Sequence, residues 1–188
     1  RKSKELSVVY AIGDGNHSLA AAKACYEAGE TSRYAMVELE NIYDEALKFE
    51  PIHRFVKNIN PEEFLSGLEK EICLKDFNNS NSWPINFYSR DKSGVININK
   101  SLGASALIVL QKYLDEKKFE IDYIHDIEAL KNLSENENSV GFEMPPFDES
   151  AKKDFFKIIS KSGVMPRKTF SMGHAQEKRF YLEARRIK

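Results

Sequence analysis

Apolar positions follow two periods along this chain, and each change of period marks the passage from strand to helix. Residues 6–12 form an apolar, partly β-branched run, Leu6-Ser7-Val8-Val9-Tyr10-Ala11-Ile12, which predicts a strand buried on both faces. The turn Gly13-Asp14-Gly15 stops it. A helix follows from about Asn16 to Ala28, with Gly29 placed to end it at the C′ position. Ala21, Ala24, Cys25 and Ala28 share one stripe of that helix, and such small side chains predict a helix lying flat on its own strand.

Residues 33–40 read as the next strand and 49–56 as a third, with Pro51 tolerated near a strand start or edge. Pro61-Glu62-Glu63 opens a helix to about Leu74, with proline in the first turn and acids near the positive end of the dipole. Residues 76–82 are polar and read as a surface loop. A hairpin follows, 85–87 against 95–98, around a turn with Gly94 at its exit. Residues 104–117 predict a helix with Leu107, Leu110, Gln111 and Leu114 along one side. A strand at 119–124, a helix at 127–133, a strand at 140–142, a helix from Ser150 to about Ser162 and a final alternating strand at 178–187 complete the pattern. Helices interleaved with strands predict an α/β or α+β fold, a mixed sheet with helices packed on it.

Composition narrows the class. A chain of 188 residues with 41% hydrophobic and 30% charged residues is long enough, and apolar enough, for a single domain with one core. The loop at 76–82 is the place for a subdomain seam. The chain opens Arg1-Lys2-Ser3-Lys4 and enters a strand almost at once, so it reads as the C-terminal portion of a longer parent. The 28 basic and 29 acidic side chains leave a net charge of −1, which disfavours nucleic acid as a partner because no broad face can neutralise phosphates. Lys178-Arg179 with Arg185-Arg186 is the best candidate for a local basic patch, and reads first as solvated charges flanking an edge strand. Cys25 and Cys73 lie far apart with no metal-ligand spacing, which suits a reduced, cytoplasmic protein. The 4 histidines are dispersed, so no metal site is expected. The longest apolar run, 104–110, is far short of the roughly 20 residues of a membrane span, so no membrane partner is expected either.

The chemistry concentrates at Gly13-Asp14-Gly15-Asn16-His17-Ser18. The first N–H groups of a helix have no intrahelical partner, and the dipole adds about half a positive charge there. Such a helix start takes phosphate readily. Gly13 and Gly15 permit positive φ and close approach by a ligand. Asp14 or Asn16 could cap the helix. His17 could contact a phosphate or move a proton near neutral pH, and Asp14 could orient His17 or hold the Mg²⁺ that accompanies a nucleotide. The same residues are also good turn material and need no ligand.

The turn resembles the Asp-Gly-His-His-Arg signature of the ParB/sulfiredoxin-like superfamily, which includes an archaeal ADP-dependent free-serine kinase. More broadly, the chain resembles the C-terminal half of an uncharacterised bacterial family, domain of unknown function ten-fifteen, loosely labelled ParB-like nuclease. Four stretches carry that likeness: residues 13–18, Phe49-Glu50-Pro51-Ile52-His53-Arg54, Asp122-Tyr123-Ile124-His125, and residues 165–173. The resemblance implies a nucleotide-binding or phosphotransfer module in which Asp14, Gly15 and His17 match the motif. Asn16 stands where the first His would be and Ser18 where the Arg would be, so a bidentate phosphate clamp is missing. The turn has no Cys, which excludes sulfiredoxin chemistry. A regulatory protein-interaction domain and a ParB-like DNA-acting module are the alternatives, and whether the chain is an enzyme stays open.

Further candidates lie outside the turn. On a regular strand His53 and Arg54 point to opposite faces, with Ile52, Arg54 and Val56 on one side and His53 and Phe55 on the other. His125 follows a strand, near the strand ends where ligands collect in open sheets. Arg167 and Lys168 lie in a loop that could close over phosphates or simply connect two elements.

Overall fold

The computed structural model describes residues 10–13, 15–29, 34–35, 37, 39–45, 47, 49–75, 80–146, 155–156, 159–160 and 165–172. The chain divides into two compact units, one of residues 1–48 with 172–188 and one of residues 49–171.

In the first unit the described element is helix α1, Asn16–Glu27. Gly15 stands at its N-cap in the left-handed conformation, φ 83°, and Gly29 follows its C-cap at φ 90°. That is the C′ role expected for Gly29, because a left-handed residue there costs glycine no Cβ clash. The Gly29 N–H donates to the Tyr26 carbonyl at 3.1 Å. No residue of α1 is buried. The stripe Ala21, Ala24, Cys25 and Ala28 is exposed, and Leu19 and Ala22 are its half-buried positions. The expectation of a helix pressed flat by this stripe is therefore corrected. Residues 10–12 and the described members of 33–40 are not strands. Their apolar pattern is real, but among the described residues no backbone ladder pairs with them. Residues 6–9 and the expected strand at 178–187 lie outside the described residues.

The second unit follows the predicted order closely. It contains β1 (Phe49–Pro51), β2 (His53–Lys57), α2 (Pro61–Ile72), β3 (Ser82–Tyr88), β4 (Ser93–Asn99), α3 (Ala106–Glu116), β5 (Glu120–Ile124), α4 (Ile127–Ser134), β6 (Ser139–Glu143) and the first two residues of β7 (Phe170–Met172), whose last residue is assigned to the first unit. The expected strand at 49–56 is two strands. Pro51 has no N–H to give a ladder, and the chain breaks at Ile52, so β1 pairs with β7 while β2 joins the main sheet. The seam expected at 76–82 falls within this unit, and residues 76–79 of it lie outside the described residues.

The main sheet has five strands in the order β4-β3-β6-β2-β5, and its pairings are all antiparallel. Helices and an antiparallel sheet make this the α+β form of the expected fold. Helices α2 and α3 cover one face. Their Phe64, Leu65, Leu68, Leu107, Leu110 and Leu114 pack with Val56, Ile85, Phe87, Ile98, Val140 and Phe142 in one buried cluster. The local signals that start these helices are all used. Asn60 Oδ1 accepts from the amides of Glu62 and Glu63, Ser105 Oγ accepts from Ile108, and Asp126 Oδ1 accepts from Ala129.

Helix α4 covers the opposite face. Gly141 pairs with Phe55 across β6 and β2, and a Cβ at Gly141 would run into Ser134 Oγ and come within 3.0 Å of Leu130 Cδ1. The absent side chain is what lets α4 sit this close. Even residues of β2 thus face α2 and α3 and odd ones face α4, as the alternation of the strand requires.

Candidate functional site

Sequence-predicted residues fall into two groups, one in each unit. In the first unit Gly13, Asn16, His17 and Ser18 are exposed and Gly15 is half-buried. Asp14 lies outside the described residues. Among the described residues no side chain caps the first turn of α1, in contrast to α2, α3 and α4. Neither Asn16 nor any other described side chain occupies the helix start. The Leu19 amide makes the first intrahelical bond, 3.0 Å to the Gly15 carbonyl. A left-handed glycine precedes solvent-facing Asn16, His17 and Ser18, with an imidazole on the first turn.

In the second unit the antiparallel register gathers the other candidates at one end of the sheet. His53 opens β2 and pairs with Ile124, the last residue of β5, so His125 follows immediately beyond. Met144 follows β6 and donates its amide to His53 Nδ1 at 3.1 Å. Arg54 reaches the carbonyls of residues 167 and 168. His53, Arg54, His125, Arg167 and Lys168, which the sequence scatters, are thereby brought to the same end.

Arg54 is fully buried, and its guanidinium is spent on the protein. Nε donates to Gln111 Oε1 at 2.9 Å. Nη1 donates to the carbonyls of Ile52 at 2.5 Å and Lys168 at 2.7 Å, and Nη2 donates to the Arg167 carbonyl at 3.2 Å. The guanidinium carbon lies 4.9 Å from the ring centre of Tyr123, its cross-strand partner. Burial pulls its pKa down to about 10, against the opposing effects of Tyr123 and Asp115, and it stays charged at neutral pH. Arg54 is therefore a brace that ties the 166–169 turn to the sheet. Arg167 and Lys168 turn their carbonyls inward to it and keep exposed side chains, Lys168 at a left-handed φ of 56°.

His53 lies on the other face and is 4% exposed. Because Nδ1 accepts the Met144 amide, the ring is neutral and carries its proton on Nε2. Burial holds its pKa below the ordinary value, opposed by Glu143 and Asp126 and assisted by Arg54 and His125. The Glu143 carboxylate is pinned through one oxygen, which accepts from Tyr88 Oη at 2.6 Å and Asn86 Nδ2 at 3.0 Å. Those two bonds, the Tyr88 one foremost, hold it below the usual carboxylate range. His125 and Asp126 are exposed.

Glu143 and Asp126 were missed from the sequence. Asp126 ahead of Ile127-Glu128 is a recognisable cap, but Glu143 beside Met144-Pro145-Pro146 looks like an ordinary strand end until the fold sets it near His53. Among the described residues no group of three His, Cys, Asp or Glu could hold a metal ion, and no helix is long and apolar enough to cross a membrane.

A family model described as a protein of unknown function (DUF1015) matches residues 5–186. The chain belongs to the DUF1015 family. No protein of curated function matches it. Among solved structures, SbnI with C-terminal truncation from Staphylococcus aureus is similar in fold. Its TM-score is 0.54 at 14% identity, over 86% of this chain and 62% of that one. This DUF1015 chain thus spans less than two thirds of that structure, and the likeness is one of fold alone.

Proposed function

We propose that this DUF1015 chain binds a phosphate-bearing ligand, a nucleotide with Mg²⁺, at the helix start of residues 13–18. The first turn of α1 carries the reading: Gly15 is left-handed, no described side chain caps the turn, and Asn16, His17 and Ser18 face solvent. In this reading the amides of residues 16–18 receive the phosphate. His17 contacts it or moves a proton, and Asp14 orients His17 or holds the ion. The match of Asp14, Gly15 and His17 to the superfamily motif supports it and makes a diverged phosphotransferase the finer form.

ATP, ADP and CTP, each with magnesium, should raise the melting temperature of the intact protein. Ligand at about 100 times Kd adds about 2.7 kcal/mol, a shift of a few degrees for a chain of this size. His17→Ala should abolish the shift while leaving the unliganded melting temperature unchanged. No shift with any of the three nucleotides would end the proposal.

A second reading, a protein-interaction domain, is favoured by the apolar side chains that the first unit leaves in solvent. Tyr10, Tyr34, Val37 and Leu39 are at least 68% exposed, more apolar surface than an isolated small unit usually shows. Under that reading Asp14→Ala and His17→Ala alter no ligand response.

A further inference from the structure

His53 is a titratable group used as a structural acceptor. It opens β2 and is buried, and its Nδ1 accepts the Met144 amide at 3.1 Å. The acceptor is an unprotonated nitrogen, so the bond exists only while the ring is neutral. A proton on Nδ1 sets N–H against N–H and removes the bond outright. A carboxamide oxygen in this place would hold the same amide at any pH.

The sequence makes this bond the last of its kind. Met144 follows β6, and Pro145 and Pro146 after it have no N–H. The Met144 amide is thus the final backbone donor that can tie the exit of β6 to the sheet before residue 147. Its side chain is buried in the main core cluster, so freeing the amide also loosens the packing there.

The charges around the ring favour two alternative states. Burial holds the ring neutral, and Arg54 and His125 add to that, whereas Glu143 from β6 and Asp126 from the β5–α4 connection favour the imidazolium. Glu143 is kept ionised by Tyr88, Asn86 and Lys131, and Lys131 is itself shared with Glu128 of α4 at 2.8 Å. Toward the far end of β2 and β5, Lys57 pairs with Glu120 and Asp122 at 3.0 and 2.9 Å. Protonation of His53 is therefore opposed mainly by burial and not by a lack of counter-charge. Opening the β6 exit relieves the burial and leaves the two carboxylates to favour the cation.

We infer that His53 is an acid-responsive latch: neutral, it holds the β6 exit closed on β2, and protonated, it releases Met144-Pro145-Pro146 in a protein that is otherwise folded. A proton that favours the open state shifts the balance between two conformations of one segment.

Hydrogen exchange of the intact protein between about pH 7.5 and 5.5, corrected for the intrinsic pH dependence of exchange, tests the latch. Opening linked to uptake of one proton by a group that ordinarily titrates at 6.5 should speed exchange of the Met144 amide by up to about tenfold over that range. The amides of Val140 and Phe142 within β6 should keep their rates. In His53→Gln, whose side-chain oxygen accepts at any pH, the corrected Met144 rate should lose its pH dependence. Nitrogen-15 shifts of the His53 ring in the parent protein give a second measurement should the variant fail to fold. Near pH 7.5 they should show the proton on Nε2 and none on Nδ1. A Met144 rate that is flat with pH, a rise shared equally by Val140 and Phe142, a pH dependence that survives in His53→Gln, or a proton on Nδ1 would each overturn the proposal.

Discussion

Arg54 shows how a buried charge can be structural without a carboxylate hydrogen-bonded to it. Its N–H groups meet three carbonyls and one amide oxygen, so the charge is solvated by dipoles. Removing it would orphan those acceptors, each at about 1–3 kcal/mol when buried. Arg54→Met should therefore lower stability to urea by about 3 kcal/mol or more. Arg54→Lys should recover only part, because an ammonium cannot span the same fork. Hydrogen exchange at the amides of residues 166–169 should speed up in both variants. Unchanged exchange there would show that the turn holds its shape alone.

His53 makes the complementary case, a titratable ring kept neutral. Its folded pKa lies below the ordinary 6.5 because burial disfavours the imidazolium. The unfolded chain therefore binds the extra proton first as pH falls. Stability contributed by the neutral ring is complete above 6.5 and is lost as pH drops through the folded value. Denaturation followed from pH 7.5 downward should show this loss in the parent protein and a flatter profile in His53→Gln across the window just below 6.5. Glu143 gives a separate loss below 4.5, because its folded pKa is depressed as well. Identical slopes for the parent and His53→Gln would refute the assignment.

The elements from Phe49 to Glu143 were readable because their periodicity coincides with burial. Leu107, Leu110, Gln111 and Leu114 form the predicted stripe and all four are buried. The caps Asn60, Ser105 and Asp126 emerged only with the structure. The opposite orientation of His53 and Arg54 followed from strand alternation alone. What sequence could not supply was register: the convergence of β2, β5 and β6 that sets Glu143 and Asp126 near His53 depends on long-range pairing. Nor could it separate β1 from β2, since Pro51 is compatible with either a strand start or a break. Gly141 is another tertiary requirement. Gly141→Ala should destabilise by about 1–3 kcal/mol through overpacking against α4. Combined with Ser134→Ala, which removes the nearest obstructing atom, the loss should be smaller than the sum of the two single changes. Strict additivity would mean that α4 simply moves away.

Across the whole chain, burial is distributed very unevenly. Every buried apolar side chain among the described residues belongs to the second unit, from Phe49 to Phe155, whereas α1 in the first unit has only Leu19 and Ala22 half-buried. Local opening free energy follows buried apolar contact. Amides of α1 should therefore exchange at least about 100-fold faster than those of β2 and β6, and limited proteolysis should cut α1 before it cuts β2 or β6. That contrast also separates the two functional readings of the first unit. A nucleotide seated on the first turn of α1 would protect the amides of residues 16–19 and leave exchange in β2 and β6 unaltered. A protein partner covering Tyr34, Val37 and Leu39 would protect that apolar segment, with or without nucleotide. Exchange measured with magnesium and ATP should show the first pattern, and full protection of α1 in the unliganded protein would contradict the unequal division of stability from which both expectations come.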